Sequence, residues 1–127
     1  MPELPEVEII ARRLRDGNKR EQKIVGRTIV DVAVPSPKVV KQPSRAAFIK
    51  ALTGARVTAV RRRAKHLVIE TSAGALLVHL RLTGDLHVVP DLADAALKFV
   101  RAGLVFAGGH ALAFTDGRHL GEIRLLD

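Results

Sequence analysis

The sequence predicts a mainly β fold with helices (α+β): a two-layer antiparallel β-sandwich, or a flattened barrel, flanked by an N-terminal helix and a second short helix. Three observations predict it. Leu4, Val7, Ile10, Ala11 and Leu14 recur at the spacing of one helix face, then from Arg56 onward the apolar period changes from helical to two. The length of 127 residues, with 47% hydrophobic and 27% charged content, is enough for one packed domain and too short for two ordinary ones.

The first helix is predicted over residues 5–15. Pro5 suits its first turn and Glu6 and Glu8 the positive end of its dipole, while Arg12, Arg13 and Arg15 cluster near the other end and Asp16-Gly17-Asn18 stops it. Between residues 22 and 34 the β-branched residues Ile24, Val25, Thr28, Ile29, Val30 and Val32 predict a strand interrupted at Gly26 and ended by Pro35 and Pro37. Ser44 caps the second helix, whose apolar side is Ala47, Phe48, Ala51 and Leu52 and which Gly54 closes. Alternation over 56–61 and 67–70, a Ser72-Ala73-Gly74 turn, and a run from Ala75 to Leu80 make a meander. Further strands are predicted over 86–89, 99–106 and 111–115, with Gly108-Gly109 turning the last pair. Residues 91–98 fit either a loop or a helical turn.

Twenty-one Lys and Arg against 13 Asp and Glu give a net charge of +8, which suits a polyanionic partner. With no Cys, neither a disulfide nor a thiolate metal site can form. No apolar run approaches the ~20 residues of a membrane span, and acids stand where a secretory signal would be basic, so the chain reads as soluble and cytoplasmic. With no Trp or Tyr and four Phe, a stacking surface for single-stranded RNA is poorly supplied.

The start, Met-Pro-Glu-Leu-Pro-Glu-Val-Glu, carries candidate chemistry. Loss of Met1 leaves Pro2 as a secondary amine beside Glu3; an α-amino group has a pKa near ~8, so much more of it is nucleophilic at neutral pH than of a lysine. Condensed with a sugar aldehyde, that amine gives an iminium, an electron sink. If Met1 is retained, the Pro2 nitrogen is an amide and this route is closed. Glu6, three residues after Glu3, lies near the same small volume when the helix begins at Pro5.

The segment resembles the PELPEVE start of the formamidopyrimidine-DNA glycosylase and endonuclease VIII family, base-excision enzymes whose N-terminal domain is a β-sandwich with helices. The resemblance implies Pro2 as nucleophile, Glu3 as acid and base, and Glu6 in support. It extends to three further segments. Arg61-Arg62-Arg63-Ala64-Lys65-His66 resembles the family's RRRxKxL segment, which implies that Lys65 contacts phosphates flanking the lesion. His79-Leu80-Arg81-Leu82-Thr83-Gly84 resembles its HLGMSG loop, implying Leu82 as the apolar wedge that fills the gap left by an everted nucleotide; Arg81, Leu82 and Thr83 replace Gly, Met and Ser. A lone histidine is more often structural than catalytic, so His79 is read as an organiser of this loop. Asp116-Gly117-Arg118-His119-Leu120-Gly121 resembles its DPRRFG turn, implying that Arg118 and Leu120 meet the orphaned base, with Leu120 in place of the aromatic.

The resemblance thus implies the catalytic domain of a bifunctional enzyme that removes oxidised bases, of formamidopyrimidine and 8-oxoguanine type, from double-stranded DNA and cleaves the abasic site. It places the whole chain, 1–127, in the family's N-terminal half; the helix-two-turn-helix and four-cysteine zinc half is expected outside it, so no cofactor is expected here and zinc only there. The chain is expected to work as a monomer away from membranes. The alternative is a non-catalytic basic β-domain that binds nucleic acid.

Overall fold

The computed structural model describes residues 4–94 and 97–126. Helix α1 (Leu4–Asp16) buries Val7, Ile10, Ala11 and Leu14, the stripe whose spacing predicts it. Helix α2 (Arg45–Leu52) buries Phe48 and Leu52, and the Ser44 hydroxyl accepts from the Ala47 N–H at 3.2 Å, satisfying a donor of the first turn.

Among the described residues, nine strands make two sheets. The four-stranded sheet runs β1 (Ile29–Ala33), β7 (Val100–Phe106), β8 (Ala111–Asp116), β6 (Gly84–Val89). The five-stranded sheet runs β2 (Val40–Gln42), β9 (Glu122–Leu126), β5 (Gly74–His79), β4 (His66–Thr71), β3 (Val57–Arg63). Their inner faces share one apolar core, in which Ile69, Leu76, Val78 and Ile123 of one sheet meet Leu86, Leu104, Leu112 and Phe114 of the other across a small cavity closed by Phe48. This is the predicted sandwich. Helix α1 lies along β3, and α2 covers β1 and β2.

Three expectations are corrected. The strand predicted over 22–34 begins only at Ile29, because residues 24–27 form a turn in which the Arg27 N–H donates to the Ile24 carbonyl, so the β-branched Ile24 and Val25 pack from a loop. Strands β2 and β9 were not anticipated, and they pair in parallel while the other ladders are antiparallel. Phe99, placed by its sequence neighbours in a strand, lies outside β7 with a left-handed backbone, φ 61°. In the 91–98 segment, the Asp94 N–H donates to the Asp91 carbonyl at 3.3 Å and the Leu97 N–H to the Asp94 carbonyl at 2.9 Å; residues 95–96 lie outside the described residues. No helix among the described residues is long and apolar enough to cross a membrane.

Candidate nucleic-acid interface

Strand register brings the singled-out segments together. His66 is opposite His79 and His79 opposite Glu122, so the β3–β4 turn, the end of β5 and the start of β9 share one end of the five-stranded sheet. Gly84 is opposite Asp116 and Val100 opposite Thr115, so the 80–83 loop, the 117–121 loop and Phe99 share one end of the other sheet. Because the 80–83 and 117–121 loops each cross from one sheet to the other, the two ends are the same end of the sandwich.

Asp116 fastens these loops. It is 1% exposed, and Oδ1 accepts from the Thr83 hydroxyl and from the Arg118 N–H at 3.1 Å, while Oδ2 accepts from the Gly121 N–H at 2.6 Å. Burial pushes its pKa up, but the bonds from Thr83 and from the Gly121, Arg118 and Leu120 N–H groups outweigh this and hold the carboxyl below its ordinary value. The loop on the other side of Leu82 is fixed as well: the Arg81 guanidinium reaches Glu122 Oε2 at 2.6 and 3.1 Å. Between these anchors Leu82 stands 53% exposed. Gly121 admits no side chain, since a Cβ there would lie 2.6 Å from the Phe114 ring.

The β3–β4 turn is Ala64-Lys65, with Arg63 opposite His66. The basic segment expected to project from a sheet is divided in its duties: Arg61 lies 3.4 Å from Glu70, Arg62 is turned onto α1, and Lys65 occupies the turn itself. Arg62 Nε donates to Glu8 Oε1 at 3.1 Å and its Nη1 to the Ala64 carbonyl at 3.0 Å, while Arg12 holds the other Glu8 oxygen at 3.0 Å. The bond from Arg62 is the main reason that the Glu8 carboxyl titrates below its ordinary value. Glu8 therefore ties the start of α1 to the Lys65 turn, a role that the sequence does not announce.

Glu6 is exposed in the first turn of α1, while Pro2 and Glu3 lie outside the described residues. His79 meets His66 edge to face, ring centroids 4.8 Å apart, and burial together with His66 lowers its pKa, favouring a neutral ring beside Lys65. Arg118 is exposed and Leu120 is 39% exposed on the 117–121 loop. His119 is turned away from them, its Nε2 3.1 Å from the Ser36 hydroxyl.

Among the described residues, the non-glycine residues with positive φ are Ala64, Arg81, Phe99 and His119, at 54°, 55°, 61° and 56°. One falls in each segment at this end. Each costs on the order of 1 kcal/mol, and such conformations persist where the surroundings over-determine them. The loops are thus held in set shapes before any partner arrives. Among the described residues no three His, Asp or Glu side chains are placed to hold a metal, and with no Cys in the sequence a zinc centre does not fit here.

The chain matches a family model described as the formamidopyrimidine-DNA glycosylase N-terminal domain over residues 1–123. A formamidopyrimidine-DNA glycosylase of Pelobacter propionicus is 41% identical over 125 residues, which is 97% of this chain and 43% of that protein. One of Chloroflexus aggregans is 40% identical over 129 residues, covering 100% of this chain and 44% of the relative. Lactococcus lactis Fpg in complex with abasic-site DNA superposes with a TM-score of 0.85 at 30% identity, over 98% of this chain and 44% of that one. The same protein bound to DNA containing Fapy-dG gives a TM-score of 0.84 at 30% identity. The chain therefore spans less than half the length of the relatives it matches.

Proposed function

Because the chain belongs to the formamidopyrimidine-DNA glycosylase family and matches its N-terminal domain, we propose that it is the catalytic part of an enzyme that excises oxidised purines of formamidopyrimidine and 8-oxoguanine type from double-stranded DNA and then cleaves the abasic site. The observation that carries this reading is convergence: Lys65, Leu82, Arg118 and Leu120 come from three loops and stand at one end of the sandwich, with the start of α1 tied to that end through Glu8 and Arg62. A cation, an apolar wedge and a second cation on pre-set loops suit a duplex with one base turned out.

The chemistry is assigned to the N-terminus. The Pro2 nitrogen attacks C1′ of the damaged nucleotide, the C1′–N bond to the base breaks, and the departing base takes up the proton that the Pro2 nitrogen sheds. Glu3 protonates the ring oxygen as the sugar opens, leaving an iminium between Pro2 and C1′. Withdrawal of electrons by that iminium makes the C2′ hydrogen acidic; a base removes it and the 3′-phosphate leaves, followed by the 5′-phosphate. Glu6 supports the amine from the first helical turn. Lys65 binds phosphate, Leu82 fills the vacated stack, His79 organises the loop beside it, and Arg118 and Leu120 meet the orphaned base. The zinc-bearing half that completes such an enzyme would be supplied by chain beyond these residues, and the whole would act as a monomer on genomic DNA in the cytoplasm.

Borohydride trapping tests this. The protein is incubated with an abasic-site duplex and reductant and weighed intact. A covalent DNA adduct on Met1-free protein, lost in Pro2→Gly, is the expected result. If the full-length, Met1-free protein binds the duplex but gives neither adduct nor strand cleavage, the domain is a binding module and the enzymatic reading fails.

A further inference from the structure

Phe99 is 58% exposed, a large aromatic surface left to solvent in a chain with four Phe and no Trp or Tyr. Its position is not accidental slack in a loop. The backbone is left-handed at φ 61°, uncommon for a bulky side chain, and its carbonyl accepts from the Asp116 N–H at 3.0 Å. Arg101 stands over the ring, its Cζ 5.5 Å from the centroid, while Arg101 Nε donates to the Asp116 carbonyl at 2.7 Å. The main chain of Asp116 thus fixes both the ring and the cation that backs it. Gly117 lies against the ring edge, where a Cβ would be 3.6 Å from Cδ2. The ring therefore flanks the 117–121 loop, which carries no aromatic residue of its own.

The geometry points to Phe99 as a base-contacting, specificity-determining residue that stacks on a base of the strand opposite the lesion, with Arg101 as the positioning residue behind it. This rests on the reading of the same end as a DNA interface. Two features favour a base over a protein surface: a guanidinium polarises the ring, and exposed Arg118 on the adjacent loop supplies a phosphate or base-edge partner. The sequence places Phe99 at the start of a strand predicted over 99–106 and assigns it no part in the site.

The test uses the full-length protein and a duplex in which a tetrahydrofuran abasic site faces 2-aminopurine, whose fluorescence reports stacking. Wild type quenches the probe on binding. Phe99→Leu, which keeps apolar bulk without a π face, is expected to bind about tenfold more weakly and to lose most of the quenching, and Phe99→Trp to restore both. Equal quenching and affinity in Phe99→Leu overturns the proposal, as does a tenfold loss with quenching intact, which would assign the ring to packing against protein. Absence of any preference of wild type for the abasic over the undamaged duplex is a separate result: it removes the interface reading and this inference with it.

Discussion

Replacing Asp116 by Asn isolates the part played by one buried carboxylate in holding two loops. The carboxylate accepts through both oxygens, from Thr83 and Arg118 on one and from Gly121 on the other. An amide has one acceptor oxygen. Turned toward Thr83 and Arg118, it sets its NH2 against the Gly121 N–H, leaving a buried donor without an acceptor at a cost of about 1–3 kcal/mol. The bonds that survive lose their charge assistance, roughly another 1 kcal/mol. A loss of about 2–4 kcal/mol corresponds, at about 4 °C per kcal/mol for this length, to a fall in Tm of roughly 8–16 °C by circular dichroism at pH 7. The pH dependence gives a second check. The folded-state pKa lies below the ordinary carboxylate value, so the stabilisation is fully present above about pH 4 and is lost as pH falls through the folded value. The variant has nothing to lose there, and the gap between the two melting curves should close in acid. A Tm within about 2 °C of wild type at pH 7, or a gap unchanged at pH 3, would refute the assignment of these bonds.

Lys65→Ala should weaken binding to damaged and undamaged duplexes alike and reduce the salt slope, d log K/d log[salt], by about 0.9; a slope equal to wild type in a salt titration would remove Lys65 from the phosphate contacts. Glu8→Gln weakens the tie between α1 and the β3–β4 turn, so borohydride trapping should slow roughly tenfold with duplex affinity retained, and single-turnover trapping at saturating protein decides it. Gly121→Ala brings a methyl group to 2.6 Å from the Phe114 ring and 3.0 Å from Asp116 Oδ2; a loss of about 1–3 kcal/mol should appear as a lower urea midpoint, and an unchanged midpoint would mean that the loop yields freely.

Local order was legible where one face of an element is buried. The stripe from Val7 to Leu14 and the alternation in β5 reflect a core on one side and water on the other; in β4 Leu67, Val68 and Ile69 are all buried, and in β3 a register shift after Val57 sets the buried Val57 and Val60 three residues apart. What failed depends on distant partners. Residues 22–28 have strand composition, but their backbone donors go to separate partners: Ile24 N–H to the Leu14 carbonyl at 2.8 Å, Gly26 N–H to the Val57 carbonyl at 2.8 Å, and Arg27 N–H to the Ile24 carbonyl at 3.1 Å. Strand β2 is three residues long and exists by pairing with β9. The alternation of buried Ile123 and Leu125 was a readable strand signal in β9, obscured by the turn motif just before it. At the site, motif resemblance singled out Lys65, Leu82 and Arg118, each exposed or half-exposed at one end. Glu8, Phe99, Arg101 and Asp116 act through tertiary contacts with residues up to 54 positions away, and no local pattern encodes these.

The opposite end of the sandwich offers a way to handle the molecule. There the two sheets meet through the Thr28–Arg56 bridge, and the turns at residues 72–73 and 107–109 face solvent. Strands β7 and β8, of seven and six residues, separate Gly109 from the Asp116 loops by about 20 Å. A short polar linker inserted between Gly108 and Gly109, where a Cβ on Gly109 would meet nothing within 4 Å, would let the protein be tethered to a sensor surface with every molecule facing outward. Immobilised in that orientation, it should take up duplex as a uniform population, whereas random attachment through its lysines would blind the fraction fixed through Lys65.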